Sequence, residues 1–393
     1  MNESAVLATG TPALHLAGKP LRILLVVDGF YPSTGGSELQ VRLLSRAFKQ
    51  AGHQVEILAP WLDHNKPLAE TIDDVPVTRL AYPKIKLLGA ALLLMRFALW
   101  LWSRRDSYDA IHVHMAKTLA AVAGLVRPYL KATLMVKISG AWEFNGGILD
   151  PALRGQPLYR IFNWCIRRAD TLQCISQYTY QMLRDAGYPR ERLRLIPNAV
   201  DLKRFAVTMG QGERLDDRRH VVFVGRVERV KGLEVLLDAW TRIGADAARL
   251  TIAGNGTERE TLMRIAGERG ISANISFPGE IRNVGELLAT ADIYVQPSFQ
   301  EGLPNSVLEA MAAGLPIVAT RISGNEDVVC DGENGLLVPA GDTEALRAAL
   351  QRLIADRTLG ARMGERSRAV IEERFSLPAV IGQLEAAYRG ARA

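Results

Sequence analysis

Residues 299–314 of this 393-residue chain read Phe-Gln-Glu-Gly-Leu-Pro-Asn-Ser-Val-Leu-Glu-Ala-Met-Ala-Ala-Gly. The run places Glu301 and Glu309 on either side of a proline at which a helix is expected to begin. Proline suits a first helical turn, because its φ is preset and it has no N–H to leave unpaired. The free amides and the helix dipole favour a phosphate, and helical Cβ atoms lean toward the N-terminus, so Glu309 is expected to point there. The sequence predicts an anion site between two carboxylates.

The ligand that fits this pattern carries a phosphate flanked by hydroxyl-rich groups. Ionised carboxylates only accept hydrogen bonds and therefore suit sugar hydroxyls, so a nucleoside-diphosphate sugar is the expected ligand. Both glutamates lie among apolar and small residues, which argues against ordinary solvated charges. Besides these glutamates, the run supplies further predicted ligand contacts at the helix start, namely Gly302, Leu303, Asn305 and Ser306.

Two other motifs occur in an order and spacing typical of a known family. They are residues 223–232, Phe-Val-Gly-Arg-Val-Glu-Arg-Val-Lys-Gly, and residues 196–201, Ile-Pro-Asn-Ala-Val-Asp. Together with the Glu-x7-Glu run, they resemble the retaining glycosyltransferases of family 4, and the likeness covers about residues 21–385. The resemblance implies the two-domain GT-B fold and transfer of a sugar from a UDP- or GDP-sugar to an acceptor hydroxyl. It implies no metal and no cofactor other than this co-substrate.

Arg226 and Lys231 follow an apolar strand at a strand-to-helix turn. Two cations there can neutralise a diphosphate as its bond to the sugar breaks. The resemblance implies that both contact the donor phosphates, that Glu309 binds the ribose hydroxyls and that Glu301 lies near the transferred sugar. A retaining glycosidase would also use two carboxylates, roughly 5 Å apart, but it would leave the two cations without a role.

Further candidate residues lie in the N-terminal half. His112 and His114 are two positions apart on a predicted strand, so they share one face, and His114 lies at the carboxyl end, where open α/β sheets bind ligands. The resemblance implies that His114 approaches the transferred sugar and so adds it to the catalytic set, with His112 as a buried neighbour. Gly35 and Gly36 follow the first strand, and paired glycines permit close backbone approach and positive φ. By resemblance they lie near the donor phosphate or the acceptor.

Strand patterns along the chain form two series separated by a break at residues 203–219. The first series lies at residues 21–27, 54–58, 110–114, 133–138, 171–175 and 193–196. The second lies at residues 220–224, 250–253, 274–277, 292–296, 316–319 and 335–338. Because helical patterns separate most of the strands, the sequence predicts the α/β class, with two Rossmann-like doubly wound domains whose strand ends face a cleft.

The resulting domain prediction has four parts. Residues 1–19 are expected to be a disordered tail without the basic n-region of a signal peptide. Residues 20–202 are the predicted acceptor-binding domain and residues 203–376 the predicted nucleotide-sugar-binding domain. The resemblance suggests that a final helix within residues 377–393 crosses back to the first domain.

Charge and cysteine content bound the partners and the compartment. Residues 1–200 hold 24 Lys and Arg against 15 Asp and Glu, whereas the remainder holds 24 against 27. The basic half favours an acidic partner or surface. The three cysteines show no metal-ligand spacing and cannot all pair, which indicates a reducing, cytoplasmic compartment. No nucleic-acid partner is expected.

Residues 87–102 are the most apolar stretch of the chain. They number sixteen, include Arg96, and fall short of the ~20 residues that span a bilayer. Two interpretations stay open, namely a buried helix and an interfacial helix with Trp100 and Trp102 at the headgroup boundary. The basic residues within 84–105 would then meet anionic lipid. This second interpretation predicts peripheral contact with the inner face of the plasma membrane and a polyprenyl- or lipid-linked glycan as acceptor.

Other functions share parts of this pattern. A nucleotide-sugar 2-epimerase would have the same architecture and use no acceptor. A non-catalytic nucleotide-sugar-binding protein would keep the fold, although the charged set Arg226, Lys231, Glu301 and Glu309 argues against it. A Rossmann dehydrogenase is disfavoured because Gly-x-Gly-x-x-Gly is absent after Val27. The chain departs from common family patterns at Ser139-Gly140, where many members have His-Gly, and at Asn198-Ala199, where many have Asn-Gly.

Overall fold

A computed structural model describes residues 18–390 except 34, 86, 141, 142, 145, 148, 206–215 and 245. These described residues form two mostly parallel β-sheets with helices between the strands. The predicted tail, apart from residues 18 and 19, lies outside them, as does most of the predicted break at residues 203–219. The predicted α/β class is confirmed.

Over the described residues, the first sheet has eight strands in the order β3-β4-β2-β1-β5-β6-β7-β8. The strands are β1 (Arg22–Val27), β2 (Gln54–Pro60), β3 (Ala69–Ile72), β4 (Val75–Leu80), β5 (Ala110–His114), β6 (Thr133–Ile138), β7 (Thr171–Cys174) and β8 (Leu193–Leu195). The helices between them are α1 (Gly36–Gln50), α2 (Leu88–Ser103), α3 (Thr118–Val126), α4 (Pro157–Ile166) and α5 (Gln177–Asp185). Strand β1 pairs in parallel with β2 and β5, which places Val27 beside His114.

The sequence patterns missed β3 and β4, which form an antiparallel hairpin. Ile72 pairs with Val75, so Asp73 and Asp74 form the two-residue loop, with φ of 48° and 61°. Positive φ at both loop residues belongs to a type I′ turn, which Asp tolerates and which suits the twist of a hairpin. The pair was concealed because Pro76 interrupts β4 and β3 has only four residues, and the Asp-Asp dipeptide was the signal that could have revealed it.

The second sheet has six strands in the described part of the chain, in the order β11-β10-β9-β12-β13-β14. The strands are β9 (Arg219–Val224), β10 (Ala248–Ala253), β11 (Ile275–Gly279), β12 (Ile293–Gln296), β13 (Ile317–Thr320) and β14 (Gly335–Val338). The helices are α6 (Leu233–Trp240), α7 (Arg259–Glu268), α8 (Val284–Ala289), α9 (Asn305–Ala312), α10 (Ser323–Glu326), α11 (Thr343–Ala355), α12 (Arg357–Arg374) and α13 (Leu377–Gly390).

The second sheet carries an apolar core on each face. One core surrounds Phe223 and Trp240, and the other surrounds Tyr294 and Met311; all four side chains are fully buried. A parallel sheet covered by helices on both faces requires continuous apolar strands, which is why the strand runs were readable in the sequence. All twelve predicted strands are present, with bounds that differ by at most a few residues.

The chain divides into two compact units whose limits pass through strands β6 and β7. The first unit contains the described residues up to Val136 together with residues 161–171 and those from Ile381 onward. The second contains Lys137–Arg160 and Leu172–Val380. Residues 137–160 and 172–202, which the sequence assigned to the first domain, thus belong to the second unit. The domain boundary at residue 203 stays a prediction.

The last turns of α13 belong to the first unit and are held there by buried polar groups. The Nε2 atom of His53 lies 2.8 Å from Oε1 of Glu385. The Nδ1 atom of His112 lies 2.8 Å from the hydroxyl of Tyr388. Because the N–H of Leu21 donates to Nδ1 of His53, His53 uses its other nitrogen to donate to the carboxylate.

Only a small part of helix α2 is buried. Its buried residues are Gly89, Phe97 and Leu101. On the opposite side, exposed residues recur at helical spacing and form a stripe that is entirely apolar. Its members are Leu88, Ala91, Met95, Leu99 and Trp102. The four larger side chains of this stripe are each 51–55% exposed. The interpretation of residues 87–102 as a buried helix therefore holds for three positions only.

Candidate active site

Glu301 and Lys231 form a largely buried ion pair in the second unit. Glu301 follows β12, and Lys231 ends the 3₁₀ turn after β9; Nζ lies 2.6 Å from Oε1, with the side chains 14% and 10% exposed. A buried pair is favourable only where further hydrogen bonds satisfy its atoms. Gln296 Nε2 and Ser298 Oγ also donate to Oε1 of Glu301, each at 2.7 Å. Three donors thus fix this carboxylate.

Gly232 determines how Lys231 reaches this position. Its φ is 64°, and a Cβ there would lie 2.1 Å from the carbonyl oxygen of Pro297. Only glycine combines this conformation with such close approach. The N–H of Phe299 donates to the carbonyl of Val230 at 2.8 Å, so the two loops that carry Lys231 and Glu301 are joined by their backbones.

Arg226 lies on the same loop as Lys231 but is directed elsewhere. Its Nη1 atom lies 2.9 Å from Oε1 of Glu228, and its side chain is 72% exposed. Exposed ion pairs contribute little energy, so this contact holds the guanidinium weakly. The structure brings Lys231 to Glu301 and leaves Arg226 paired with its neighbour on the chain.

Glu309 lies one turn inside α9. That helix begins at Asn305, with Pro304 as its N-cap at φ −75° and ψ 109°, so it starts within one residue of the predicted proline. Burial raises the pKa of Glu309 to about 7, and the positive charge of Arg204 partly opposes that shift. Near neutral pH, this carboxyl therefore exchanges between its protonated and ionised forms.

Tyr294, Gln296 and Ser298 are functional candidates that the sequence analysis missed. The hydroxyl of Tyr294 donates to the carbonyl of Val224 at 3.0 Å. Burial raises the pKa of Tyr294, and the charges of Glu301 and Glu309 raise it further, against the hydrogen bond from Ser306. A neutral phenol thus lies within the field of both carboxylates. The sequence signal that could have identified these three residues is a polar side chain at every second position toward the end of an apolar strand.

The residues predicted at the start of α9 have different surroundings. Asn305 accepts a hydrogen bond from Asn198 Nδ2 at 2.8 Å, which ties the motif at residues 196–201 to the first residue of the helix. Ser306 bonds to Tyr294. Leu303 is 6% exposed and belongs to the apolar core, so its side chain is not available to a ligand. The predicted contribution of these residues to ligand binding stays a prediction.

Gly302 lies against the segment Ser139-Gly140. A Cβ at Gly302 would lie 2.7 Å from the Cα of Gly140 and 2.9 Å from the carbonyl oxygen of Ser139. The N–H groups of Ser139 and Gly140 donate to Oε2 of Glu143 at 2.6 and 2.8 Å, and Glu143 is fully buried. A side chain at Gly302 would therefore push apart two segments that are themselves fixed.

In the first unit, β5 ends at His114. The rings of His112 and His114 are both fully buried, with centroids 4.2 Å apart, so the two side chains share one face as their spacing predicts. The role of His114 toward the transferred sugar stays a prediction.

Gly35 and Gly36 lead into α1. Gly35 is the N-cap, with φ −64°, and Gly36 is the first helical residue, so neither uses the positive φ that glycine permits. A Cβ at Gly35 would lie 2.3 Å from Oε2 of Glu38, whereas the place of this loop near the donor phosphate or the acceptor stays a prediction. Glycine serves here to admit a carboxylate beside the backbone.

Within the described residues, no three His, Cys, Asp or Glu side chains are grouped so that they could hold a metal ion. The expectation that the reaction needs no metal stays a prediction. Cys165, Cys174 and Cys330 are all free thiols, the first two buried.

Family models match both halves of the chain. Residues 34–204 match Glycosyltransferase Family 4, and residues 208–370 match Glycosyl transferases group 1. The chain belongs to the family 4 glycosyltransferases. The matched ranges include the helix-start run, the loop with Arg226 and Lys231, and the strand that ends at His114, so the predicted family is confirmed.

This glycosyltransferase is 33% identical to the lipopolysaccharide core biosynthesis glycosyltransferase LpsE of Rhizobium meliloti (strain 1021), over 54% of this chain and 62% of that protein. It is also 33% identical to the GDP-mannose-dependent alpha-(1-6)-phosphatidylinositol monomannoside mannosyltransferase of Mycolicibacterium smegmatis (strain ATCC 700084 / mc(2)155), over 51% of this chain and 57% of that protein. The chain thus matches about three fifths of the length of these relatives.

Among solved structures, the sucrose-phosphate synthase of Thermosynechococcus elongatus resembles this glycosyltransferase in fold. The TM-score is 0.79 at 24% identity, and the likeness covers 94% of this chain and 98% of that one. Because the resemblance extends over nearly the whole of both chains, the predicted GT-B fold is confirmed.

Proposed function

We propose that this glycosyltransferase moves one sugar from a nucleoside-diphosphate sugar to an acceptor hydroxyl, with retention of the anomeric configuration. The observation that carries the proposal is the fixed Lys231–Glu301 pair just before α9, together with Glu309 one turn inside that helix. Amides at the helix start bind the diphosphate, Glu309 in its ionised form accepts hydrogen bonds from the ribose, and Glu301 orients the sugar.

The transfer itself breaks the bond between the sugar and the diphosphate. Lys231 and Arg226 neutralise the charge that develops on the leaving phosphate, which is worth most where charge appears in the transition state. The weak exposed pair with Glu228 allows Arg226 to turn toward the donor. The acceptor oxygen attacks from the face that the phosphate leaves, and a phosphate oxygen takes the acceptor proton. No separate strong base is then required.

The proposed acceptor is a glycan linked to lipid. The names of both relatives support this, because one acts in lipopolysaccharide core biosynthesis and the other on a phosphatidylinositol mannoside. The second name also specifies a GDP-sugar donor for that relative, which supports a nucleotide-sugar donor here. The alternatives without an acceptor, an epimerase or a binding protein, receive no such support.

Contact of residues 84–105 with a membrane surface belongs to the same proposal. The support is the exposed apolar stripe of α2, since an apolar patch kept in solvent commonly marks an interaction site. Within the described residues, no helix is long and apolar enough to cross a bilayer. A helix that lies in the headgroup region would bring the first unit to the surface on which lipid-linked glycans are presented.

Thermal unfolding with a panel of UDP-, GDP- and ADP-sugars tests the donor site. A ligand at 100 times its dissociation constant adds about 2.7 kcal/mol to the free energy of unfolding, which raises the melting temperature by several degrees. We expect a shift with one nucleotide family and none with the free sugars. The shift should be smaller in Glu309→Gln. If no nucleotide sugar stabilises the protein, with or without vesicles and lipid extract, the proposed donor site is wrong.

A further inference from the structure

Helix α4 repeats the surface chemistry of α2. Ile161 and Trp164 lie three positions apart on its outer side and are 56% and 53% exposed. The guanidinium of Arg168 lies 4.5 Å from the centroid of the Trp164 ring. The end of α2 carries two pairs of the same kind, Arg104 over Trp100 at 4.3 Å and Arg105 over Trp102 at 5.3 Å. Each pair holds a cation against an amphipathic ring at the protein surface.

Helix α3 lies between α2 and α4 and touches both. It packs against α2. A Cβ at Gly124 of α3 would lie 2.0 Å from the carbonyl oxygen of Cys165 in α4, so glycine allows these two helices into backbone contact. At its end, α3 and the following 3₁₀ turn expose Leu125 and Tyr129, at 50% and 64%. The exposed apolar side chains therefore extend over three consecutive neighbours.

The charge of these three segments has one sign. Residues 84–105 hold five Lys and Arg, residues 118–131 hold two and residues 161–169 hold two, and none of the three ranges contains Asp or Glu. The chain as a whole is nearly balanced, with 48 basic and 42 acidic residues. Asp106 and Asp170, just outside the ranges, pair with Lys131 and Arg127. Asp106 also pairs with Arg105. A surface that combines aromatic and aliphatic side chains with an excess of cations over carboxylates is complementary to an anionic lipid interface.

We infer that α4 is a second lipid-binding helix, and that α2, α3 and α4 form one surface, the three-helix surface, that binds anionic phospholipid. This inference rests on the proposed membrane contact of residues 84–105 and names its partner. Tryptophan and tyrosine rings lie at the headgroup level, aliphatic side chains enter the acyl boundary, and the stacked arginines meet the lipid phosphates. A second copy of the chain is a poor occupant, because two such faces would repel each other.

Co-sedimentation of the full chain with vesicles tests this inference. The vesicles contain either pure phosphatidylcholine or phosphatidylcholine with phosphatidylglycerol. The α4 variant is Trp164→Ser with Arg168→Gln, and the α2 variant is Trp102→Ser with Arg105→Gln. The matched control is Met263→Ser with Arg264→Gln on α7 of the second unit, where Met263 is 43% exposed and Arg264 also lies at the surface.

We expect the wild-type protein to bind the anionic vesicles at least about tenfold more tightly than the neutral ones, and less tightly as salt shortens the Debye length. The α4 and α2 variants should each lose about tenfold in binding to anionic vesicles, while the control keeps wild-type binding. All variants should keep the wild-type melting temperature, because the replaced tryptophan and methionine side chains are 43–53% exposed and Arg168 is partly exposed.

Three outcomes overturn the inference. If the α4 variant binds as the wild type does while the α2 variant does not, α4 is not part of the surface, although the proposed contact of α2 survives. If neutral and anionic vesicles bind equally, the partner is not anionic lipid. If the protein binds no vesicle but self-associates until the α4 variant breaks the oligomer, the occupant is a second copy. The stabilisation of the protein by nucleotide sugars is measured separately. It tests the proposed donor site and involves none of these residues.

Discussion

In the second unit, the buried charges of Lys231 and Glu301 satisfy each other, and Gln296 and Ser298 complete the bonding of the carboxylate. Along the three-helix surface, half-exposed apolar side chains lie among cations whose own segments contain no acidic residue. The first region is complete within the chain and, in the proposed function, is preorganised for a small, charged ligand. Under the inference above, the second region binds a lipid surface outside the chain. The two regions thus correspond to two proposed kinds of binding, one at paired, largely buried charges and one at an exposed surface complementary to lipid.

Breaking the buried pair has the largest expected effect. Lys231→Met leaves the Glu301 carboxylate buried without its cation, which should lower the free energy of unfolding by about 3–5 kcal/mol. It should also reduce turnover by about 10²–10³-fold, because a charge that stabilises the leaving phosphate is lost. Urea unfolding and a turnover assay measure the two effects.

The double variant Lys231→Met with Glu301→Gln separates stability from catalysis. Removing both charges should restore most of the stability and none of the turnover. Arg242→Gln is the matched control, because it breaks an exposed pair with Glu344 and should change stability by less than about 1 kcal/mol. A Lys231→Met variant as stable as this control would contradict the view that the site is held by its buried pair.

Glu309 should make the stability and the donor affinity respond to pH in opposite directions. Its native pKa of about 7 lies above the ordinary 4.5, so between these values the native state holds a proton that the unfolded state has released. The free energy of unfolding therefore falls as pH rises through this window, by about 3 kcal/mol. Donor affinity should rise over the upper part of the same window, because only the ionised carboxylate accepts from both ribose hydroxyls.

Glu309→Gln removes this response. At pH 8 the variant should melt at a higher temperature than the wild type but bind the donor less tightly, and at pH 5 the two proteins should have similar stability. Melting curves and donor titrations at both pH values measure this. If the difference in stability between the wild type and Glu309→Gln is the same at pH 5 and pH 8, Glu309 is not desolvated in the native state.

Gly302→Ala probes the packing of the site at a smaller scale. The new methyl group would lie 2.7 Å from the Cα of Gly140, so we expect a loss of about 1–3 kcal/mol in stability and weaker donor binding. Gly267→Ala on α7 is the control, because its nearest neighbour would be 3.9 Å away. This helical change should add about 0.5–1 kcal/mol instead. Equal stability of the two variants in a denaturant titration would contradict the tight contact at Gly302.

The smallest expected effect is on α2. Leu99→Ser should change the free energy of unfolding by less than about 0.5 kcal/mol, because Leu99 is 55% exposed. Phe97→Ala, two positions away and fully buried, should cost about 3–5 kcal/mol. If both substitutions destabilise the protein equally in urea, α2 is covered by protein in solution and its outer stripe is not available to lipid.

The sequence predicted the elements better than the contacts between them. Apolar runs identified every strand that is buried on both faces, whereas β3 escaped because it is short and partly exposed, and β4 escaped because Pro76 interrupts it. Lys231 and Glu301 were both chosen as donor contacts, but their pairing depends on two loops seventy residues apart meeting in space. The orientation of Arg226 was equally hidden, since an exposed side chain is set by energies of well under a few kcal/mol.

The central claim, that Lys231 and Glu301 hold a sugar-nucleotide for transfer with retention, is tested most directly on the donor that stabilises the protein. Release of the nucleoside diphosphate is followed with acceptor or, more slowly, with water, while proton NMR records the anomer formed first. We predict that the first product keeps the configuration of the donor and that Lys231→Met releases nucleotide about 10²-fold more slowly. An inverted first product, or equal rates in the two proteins, would contradict the account.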